Sequence, residues 1–449
     1  MQIIADLQLH SRFSRAVSKA MTIPFIGEWS RRKGINLVAT GDWTHPMWMR
    51  EIESELEETG NGLLRLKSDA EVAPLFLLAT EISCIYSQGG KTRRIHTLVW
   101  VPTIHAARTI SQEMTKRGCN LLSDGRPIVG LTSIQLAELV LSVESKALII
   151  AAHCWTPWFS LYGSMSGFDS IDEAFGPYAK YIHAVETGLS SSPDMNWRVK
   201  ELDGRTILSF SDAHSGPKLG REATVFEVPD GKLSYEAIYS AIRMADTSGP
   251  VSANAQAKIA YTIEFHPEEG KYHYTGHRAC SVRMSPEEMK SKGSTCSVCG
   301  KPLTVGVMQR VEDLAGRTEA DLSLEKVRQP GLLCDATRSK SFPTRPPFIM
   351  LVPLLEILSE CIHAPTASPK TSALYTRLTD AFGGEFPVLL TLTPEEITKV
   401  AGQRVAEGID KVRRGDIVIE PGYDGVFGVV NIWRGREVAG REREQLSMF

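Results

Sequence analysis

Short apolar runs recur through the first half of the chain, and a polar residue closes nearly every one. Ile3-Ile4-Ala5 leads into Asp6-Leu7-Gln8-Leu9-His10-Ser11, and INLVAT (35–40) into Gly41-Asp42-Trp43-Thr44-His45. PLFLLAT (74–80) leads into Glu81, and RRIHTLVWV (93–101) carries His96 near its start. ALIIAA (147–152) leads into His153, KYIHAV (180–185) into Glu186, and TILSFS (206–211) into Asp212-Ala213-His214. Continuous Val/Ile/Leu runs of this length read as strands buried on both faces. Helical patterns such as SIQLAELVLSVE (133–144) and LSYEAIYSAIRMA (233–245) lie between them. Strand and helix in alternation predict parallel strands, in an α/β barrel or a doubly wound sheet.

The pattern changes in the C-terminal third, where residues 311–418 read as mostly helical. Thr393-Pro394-Glu395-Glu396 is a capping-box start, and Ile397, Ala401, Val405, Ile409 and Val412 follow as one apolar stripe. Lys399, Arg404, Lys411, Arg413 and Arg414 sit among them, as a solvated face or a phosphate-contacting one. IEPGYDGVFG (419–428) reads as a tight, ordered loop.

The chain has 449 residues, 42% of them hydrophobic, enough for two or three domains with their own cores. The formal net charge is −3, so bulk basicity does not mark nucleic-acid binding, and a DNA ligand would need a local basic groove. The first residues lack a signal-peptide pattern, and no apolar run approaches the roughly 18 residues of a membrane span. The expected location is cytoplasmic, with no membrane partner. The eight cysteines are too sparse for a disulfide scaffold, and three of them cluster, which suggests one metal site in a reduced chain.

That cluster lies in 272–307. Cys296-x-x-Cys299 followed by Gly300 is a zinc-knuckle turn, with Cys280 upstream and His277 three residues before it. His273 competes with His277 for the fourth position. Ser285-Pro286-Glu287-Glu288 between the halves starts a short helix. The site looks closed, hence structural.

Active sites of such folds form at the carboxy ends of parallel strands. One polar residue there is explained by capping; His and carboxylates at nearly every strand end are not. They suit borderline divalent metals such as Zn, Mn or Fe, and several metals on one rim suit phosphoester hydrolysis.

In order, D-L-Q-L-H-S (6–11), T-G-D-W-T-H (40–45), T-E-I (80–82) and S-D-A-H (211–214) resemble the PHP (polymerase and histidinol phosphatase) superfamily over about residues 1–260. The resemblance implies a distorted (β/α)7 barrel with three metal ions on its carboxy rim. It makes Gln8, His10, Asp42, His45, Glu81, His96, His153, Asp212 and His214 candidate metal ligands. His10, Glu81, His153, Asp212 and His214 would also carry catalysis, and Asp6 would hold a ligand in place. Gln8 stands where the superfamily has a His, and Arg12-Phe13-Ser14-Arg15 lacks a further His of the pattern. One of the three metal sites is therefore expected to be weaker, to prefer Mg or Mn, or to be empty.

The barrel, the Cys-x-x-Cys module and helices ending in PGYDGVFG (421–428) together resemble the endonuclease Q family. HCWTPWFSLYGSMSGFDS (153–170), ETGLSSSPDMNWR (186–198) and SDAHSGPKLGRE (211–222) add to the match, which spans nearly the whole chain. It implies an α/β chain: a PHP barrel over 1–265, a zinc-binding module over 266–310, a mostly helical domain over 311–438 and a tail over 439–449. The implied activity is a DNA-repair endonuclease that nicks 5′ of uracil, hypoxanthine, xanthine and abasic sites, leaving a 3′-hydroxyl and a 5′-phosphate. Cofactors would be divalent metals on the rim (Zn, with Mg or Mn) and one structural Zn. Trp155, Trp158, Asn196, Arg198, Lys218 and Arg221 are the expected DNA contacts; for the two tryptophans, rim packing weighs equally. Gln445, Leu446, Met448 and Phe449, in the final QLSMF, resemble the bacterial sliding-clamp motif, which implies a clamp partner and a nucleoid-associated location. Two other readings are a PHP phosphoesterase on another substrate, and an inactive DNA-binding scaffold suggested by Gln8. Glu81, His153 and Asp212-Ala213-His214 argue against a decayed site.

Overall fold

A computed structural model of the chain describes residues 1–69, 74–243 and 257–434. Seven strands make the barrel: β1 (Gln2–Asp6), β2 (Leu37–Ala39), β3 (Leu75–Gln88), β4 (Lys91–Val101), β5 (Leu148–Ala151), β6 (Ala184–Glu186) and β7 (Thr206–Leu208). They are bonded in the order β7-β6-β5-β4-β3-β2-β1. The ring closes just beyond its ends, where Leu9 bridges Ala213 and His10 N donates to Ala213 O at 3.0 Å. Helices 23–33, 104–116 and 133–143 start at Thr22, Thr103 and Thr132, whose hydroxyls accept an amide of the first turn.

The strands are parallel except β4, which is antiparallel to both β3 and β5. Gly89 and Gly90, both at positive φ, close a two-residue hairpin between β3 and β4, and this overrides the all-parallel expectation. Two strand ends move as a result. Glu81 lies within β3, which runs on to Gln88, and His96 lies within β4. The register pairs Ser83 with His96 and Glu81 with Leu98, so Glu81 and His96 are diagonal neighbours on one face. Because β4 runs backward, its first half reaches the rim where the other strands end.

The sheet continues outward from β1. β8 (Ala223–Glu227) pairs antiparallel with it and β9 (Lys258–Glu264) with β8, followed by 348–350, 335–339 and 324–328. Residues 324–350 therefore hold three strands rather than helices, each short and without a long apolar run. The helical part begins at Leu354–Ile362 and continues through Pro369–Phe382, Glu385–Leu390, Pro394–Ala401 and Gln403–Arg414. The apolar stripe of 397–412 is split between two helices at Gly402 (φ +87°), yet Ile397, Val405, Ile409 and Val412 are all buried in the core. Arg413 is buried too, donating to Val388 O and Leu389 O, so it belongs to packing and not to a phosphate face.

The cysteine module consists of a hairpin (275–277 with 282–284), the helix Pro286–Lys292 and the Cys296–Cys299 turn. The loop read as tight is the tip of a hairpin (418–420 with 429–431) that docks beside it: Gly422 N donates to Glu268 O and Gly425 N to Lys271 O, each at 2.8 Å. Among the described residues no helix is long and apolar enough to cross a membrane.

A buried ion pair ties the helical region to the barrel. Lys33 Nζ lies 2.6 Å from Glu385 Oε2, which also accepts Tyr375 OH at 2.8 Å, while Glu385 Oε1 accepts Leu354 N at 3.0 Å. Removing one partner strands a buried charge. Glu385→Ala is expected to destabilise the chain by about 3–5 kcal/mol in urea unfolding, and Glu385→Gln, which keeps acceptors for Tyr375 and Leu354, by less.

Candidate metal centre

Two groups of donor atoms meet on the rim: Glu81, His96 and His153, and His10, Asp212 and His214. Within each group the donor atoms lie within 4.8 Å of one another. Glu81 joins the groups. Its Oε1 pairs with His96 Nδ1 and lies 3.6 Å from His153 Nε2, while its Oε2 is 3.2 Å from His10 Nε2 and accepts Gln8 Nε2 at 2.7 Å. His10 Nε2 is also 3.1 Å from Asp212 Oδ1. Gln8 Oε1, His10 Nε2 and Asp212 Oδ1 are nonetheless buried without an aligned hydrogen bond. Orphaned buried imidazole, carboxylate and amide atoms that converge are what a divalent cation would satisfy, so these residues fit a metal.

Asp42 and Asp6 stand behind these groups. Asp42 accepts Ser11 N (2.6 Å), Ser14 Oγ (2.8 Å) and pairs with His10 Nδ1 (3.0 Å), which turns His10 Nε2 toward Glu81 and Asp212. Ser14 lies in the stretch that lacks a His, and serves Asp42 there. Asp6 accepts Ser211 N, Ser211 Oγ and Gly220 N, which anchors the segment carrying Asp212 and His214. His45 lies outside both groups: it precedes the helix 46–55 as its N-cap residue, without a side-chain cap bond, and its ring stacks on Phe13 at 4.5 Å.

The electrostatics follow from burial and crowding. Burial opposes protonation of His10, but Asp42, Asp212 and Glu81 outweigh it and hold its pKa well above the usual value. Burial works against the Glu81 carboxylate, yet His96, Arg126 and His10 keep its pKa well below normal. Asp212 is likewise lowered, by His214 and His10 against burial. His96 is pushed down to about 4, mainly by burial. Burial, with Asp212 and Glu222 nearby, drives the pKa of Glu186 well up, and its Oε2 accepts His153 N at 2.8 Å.

In the cysteine module His277, Cys280, Cys296 and Cys299 have ligand atoms within 4.8 Å of one another. Burial opposes ionisation of Cys296, but the amides of Cys299 and Val298 bring it down to about 6. A neutral imidazole and thiolates in this spacing fit a tetrahedral zinc. His273 lies apart, buried on the wall of the cleft.

That cleft, about 1850 Å³, runs between the rim, residues 265–273 and the helices 354–362 and 369–382; His96, His153, Asp212 and His214 line it. Of the six expected DNA contacts it receives Trp158, Lys218 and Arg221. Trp158 packs edge-on against Tyr272, Lys218 is 3.6 Å from Glu356, and Arg221, largely buried, donates to Ser211 O. The other three face inward. Trp155 is fully buried and donates to Asn196 Oδ1 at 2.8 Å; the Asn196 amide is used up on Ser191 and Ser192; Arg198 bonds Glu312 and Arg317 O. Each is fixed by internal hydrogen bonds, and Trp155 packs inside the rim. Gln445, Leu446, Met448 and Phe449 lie outside the described residues. The sequence reading missed Arg126, 3.4 Å from Glu81 Oε1; its Asp-Gly-Arg-Pro turn follows no apolar run, so no local pattern points to it.

Asp42, His153 and Asp212 all adopt positive φ, a strained backbone for such residues. Gly188 (φ +58°) makes room for one of them: a Cβ there would lie 2.1 Å from His153 Cβ. Gly188→Ala is expected to displace His153 and lower the metal bound per chain, read by elemental mass spectrometry. Gly231→Ala has a similar φ (+70°) but no neighbour within 4 Å, so it should leave metal content unchanged. Cys299→Ser is expected to lower zinc content by about one ion per chain and to loosen the small module.

A family model described as the MJ0043 C-terminal domain matches residues 353–416. The MJ0043 protein of Methanocaldococcus jannaschii is 33% identical over 281 residues, 62% of this chain; the matched region spans only 31% of that longer protein. YqxK of Bacillus subtilis is 29% identical over 96% of this chain and 99% of its own length. The crystal structure of the lesion-specific endonuclease PfuEndoQ from Pyrococcus furiosus is 31% identical, with 97% of this chain and 98% of that one covered and a TM-score of 0.79. An endonuclease Q in complex with a 27-mer duplex substrate bearing an abasic lesion at the active site is 32% identical, with 97% of each chain covered and a TM-score of 0.78. With end-to-end correspondence at this identity, the chain is an enzyme of the endonuclease Q family.

Proposed function

We propose that the chain is a DNA-repair endonuclease that hydrolyses the phosphodiester 5′ of deaminated bases (uracil, hypoxanthine, xanthine) and abasic sites, leaving a 3′-hydroxyl and a 5′-phosphate. The observation that carries this reading is the convergence of two nitrogen–oxygen donor groups on one cleft, in a chain that aligns end to end with a relative held on an abasic duplex. Divalent cations bound there would neutralise a phosphodiester and ionise a water molecule at neutral pH. Glu81, His96 and His153 would hold one, and His10, Asp212 and His214 another. The donor sets suit Zn; the Gln8 amide, a harder oxygen in place of an imidazole, favours Mg or Mn beside it.

The rest of the work falls to the chain. Asp42 fixes the tautomer and tilt of His10, and Glu186 holds the backbone at His153. Trp158, half-buried on the cleft wall, offers a ring face to a base turned out of the stack. Lys218 and Arg221 offer cations to the flanking phosphates. His277, Cys280, Cys296 and Cys299 would bind a structural zinc that keeps the small module rigid beside the cleft. The C-terminal QLSMF would recruit a sliding clamp to the same DNA.

The test is cleavage of end-labelled oligonucleotides carrying one uracil, hypoxanthine or abasic site, against an undamaged control, in Mg²⁺, Mn²⁺ or Zn²⁺. The expected product is a single nick 5′ of the lesion, with Glu81→Gln at least about 1000-fold slower. Degradation of the undamaged control at an equal rate, or no cutting in any metal, would refute the assignment.

A further inference from the structure

Arg126 is held on the rim in a way that metal binding does not explain. It sits in the segment 124–127, just before the strand Ile128–Val129 that pairs with β3; Ser83 N donates to Pro127 O at 3.0 Å. Asp124 Oδ1 accepts both Arg126 N (3.1 Å) and Arg15 N (3.3 Å), and Gly125 N donates to Phe13 O at 3.1 Å. Gly125 is wedged so closely that a Cβ would lie 2.4 Å from Asp42 Oδ2 and 2.3 Å from Ser14 Oγ. The turn is thus clamped to the residues that orient His10, and the Arg126 side chain starts from a fixed point.

That side chain is 16% exposed and lines the cleft beside His96, His153, Asp212 and His214. Among the described residues its one ion pair is long and single: Nη1 lies 3.4 Å from Glu81 Oε1, an oxygen already paired with His96 Nδ1. A guanidinium carries five N–H donors in a planar fork, so Glu81 leaves most of them unused. A cation held by Glu81, His96 and His153 would repel the guanidinium next to it. The arrangement becomes favourable when an anion touches both, and a phosphodiester, with two non-bridging oxygens, matches the fork.

We propose that Arg126 is a catalytic residue of this rim, whose guanidinium contacts a non-bridging oxygen of the scissile phosphate and stabilises the charge that builds there. The proposal rests on the endonuclease reading above. Glu81 then has two tasks: it binds metal, and it aims Arg126.

The full-length chain and its R126A, R126Q and R126K variants are to be compared on a fluorescein-labelled duplex with one abasic site. Bound metal, the salt dependence of the dissociation constant in Ca²⁺, and the single-turnover cleavage rate are read for each. Metal content is expected to stay at the wild-type level. R126A and R126Q should cut about 100-fold more slowly or worse, and their slope of log Kd against log salt should shrink by about one. R126K should keep the slope but not the rate, since an ammonium lacks the fork. R126Q retains a hydrogen bond toward Glu81, so it decides the matter if R126A fails to fold. A rate and slope equal to wild type in R126Q would overturn the proposal. So would metal loss with an unchanged slope, which would make Arg126 a counter-charge for Glu81. A wild-type chain that neither binds nor cuts this duplex overturns the endonuclease reading itself, and the phosphate contact with it.

Discussion

The Glu81 carboxylate is the charge around which the rim is organised. It is buried, ionised, and placed between two groups of histidines, so every neighbour must help to balance it. His96, His10, Gln8 and Arg126 do so from three different stretches of chain. Their arrangement depends on the β3–β4 hairpin. One residue of slippage there would send the Glu81 side chain to the opposite face and away from the histidines. The Gly89-Gly90 turn pins that register, so a tight turn just before the strand that carries His96 decides whether Glu81 and His96 meet.

The rim also carries strain. Asp42, His153 and Asp212 hold unfavourable backbone angles, and Gly188 and Gly125 give up their side-chain volume to them. Such costs are sustained by packing elsewhere, here by the close-packed strand residues of the barrel, most of them fully buried. The helical region adds a wall to the cleft, and the Lys33–Glu385–Tyr375 cluster fixes that wall against the barrel. The shape of the cleft is therefore set by one buried ion pair as well as by the rim.

The cysteine module solves a different problem. Its own core consists of Met284, Met289, Cys296 and Leu303, too few residues to stabilise it by burial alone. A metal held by the four convergent ligands would supply what the core lacks. The 418–431 hairpin then sets its orientation by backbone hydrogen bonds to 268–274.

Much of the barrel could be read from local pattern. A strand buried on both faces must be an unbroken apolar run, and the residue that ends it is visible in the sequence, so the runs leading to His10, Asp42, His153 and Asp212 stand out. The spacing of Cys280, Cys296 and Cys299 is equally local, and the motif order carried the family. What the sequence left open is non-local. Whether Glu81 ended a strand or lay within it depended on a hairpin partner. Whether Trp155, Asn196 and Arg198 faced a ligand or the interior depended on what packed against them, and the choice between His273 and His277 depended on where a distant turn folded. Arg126 has no pattern of its own: only closure of the barrel brings its turn against Glu81. Local chemistry named the ligand types, and tertiary packing decided which of them meet, because contact between distant residues is fixed by burial and register and not by neighbours in sequence.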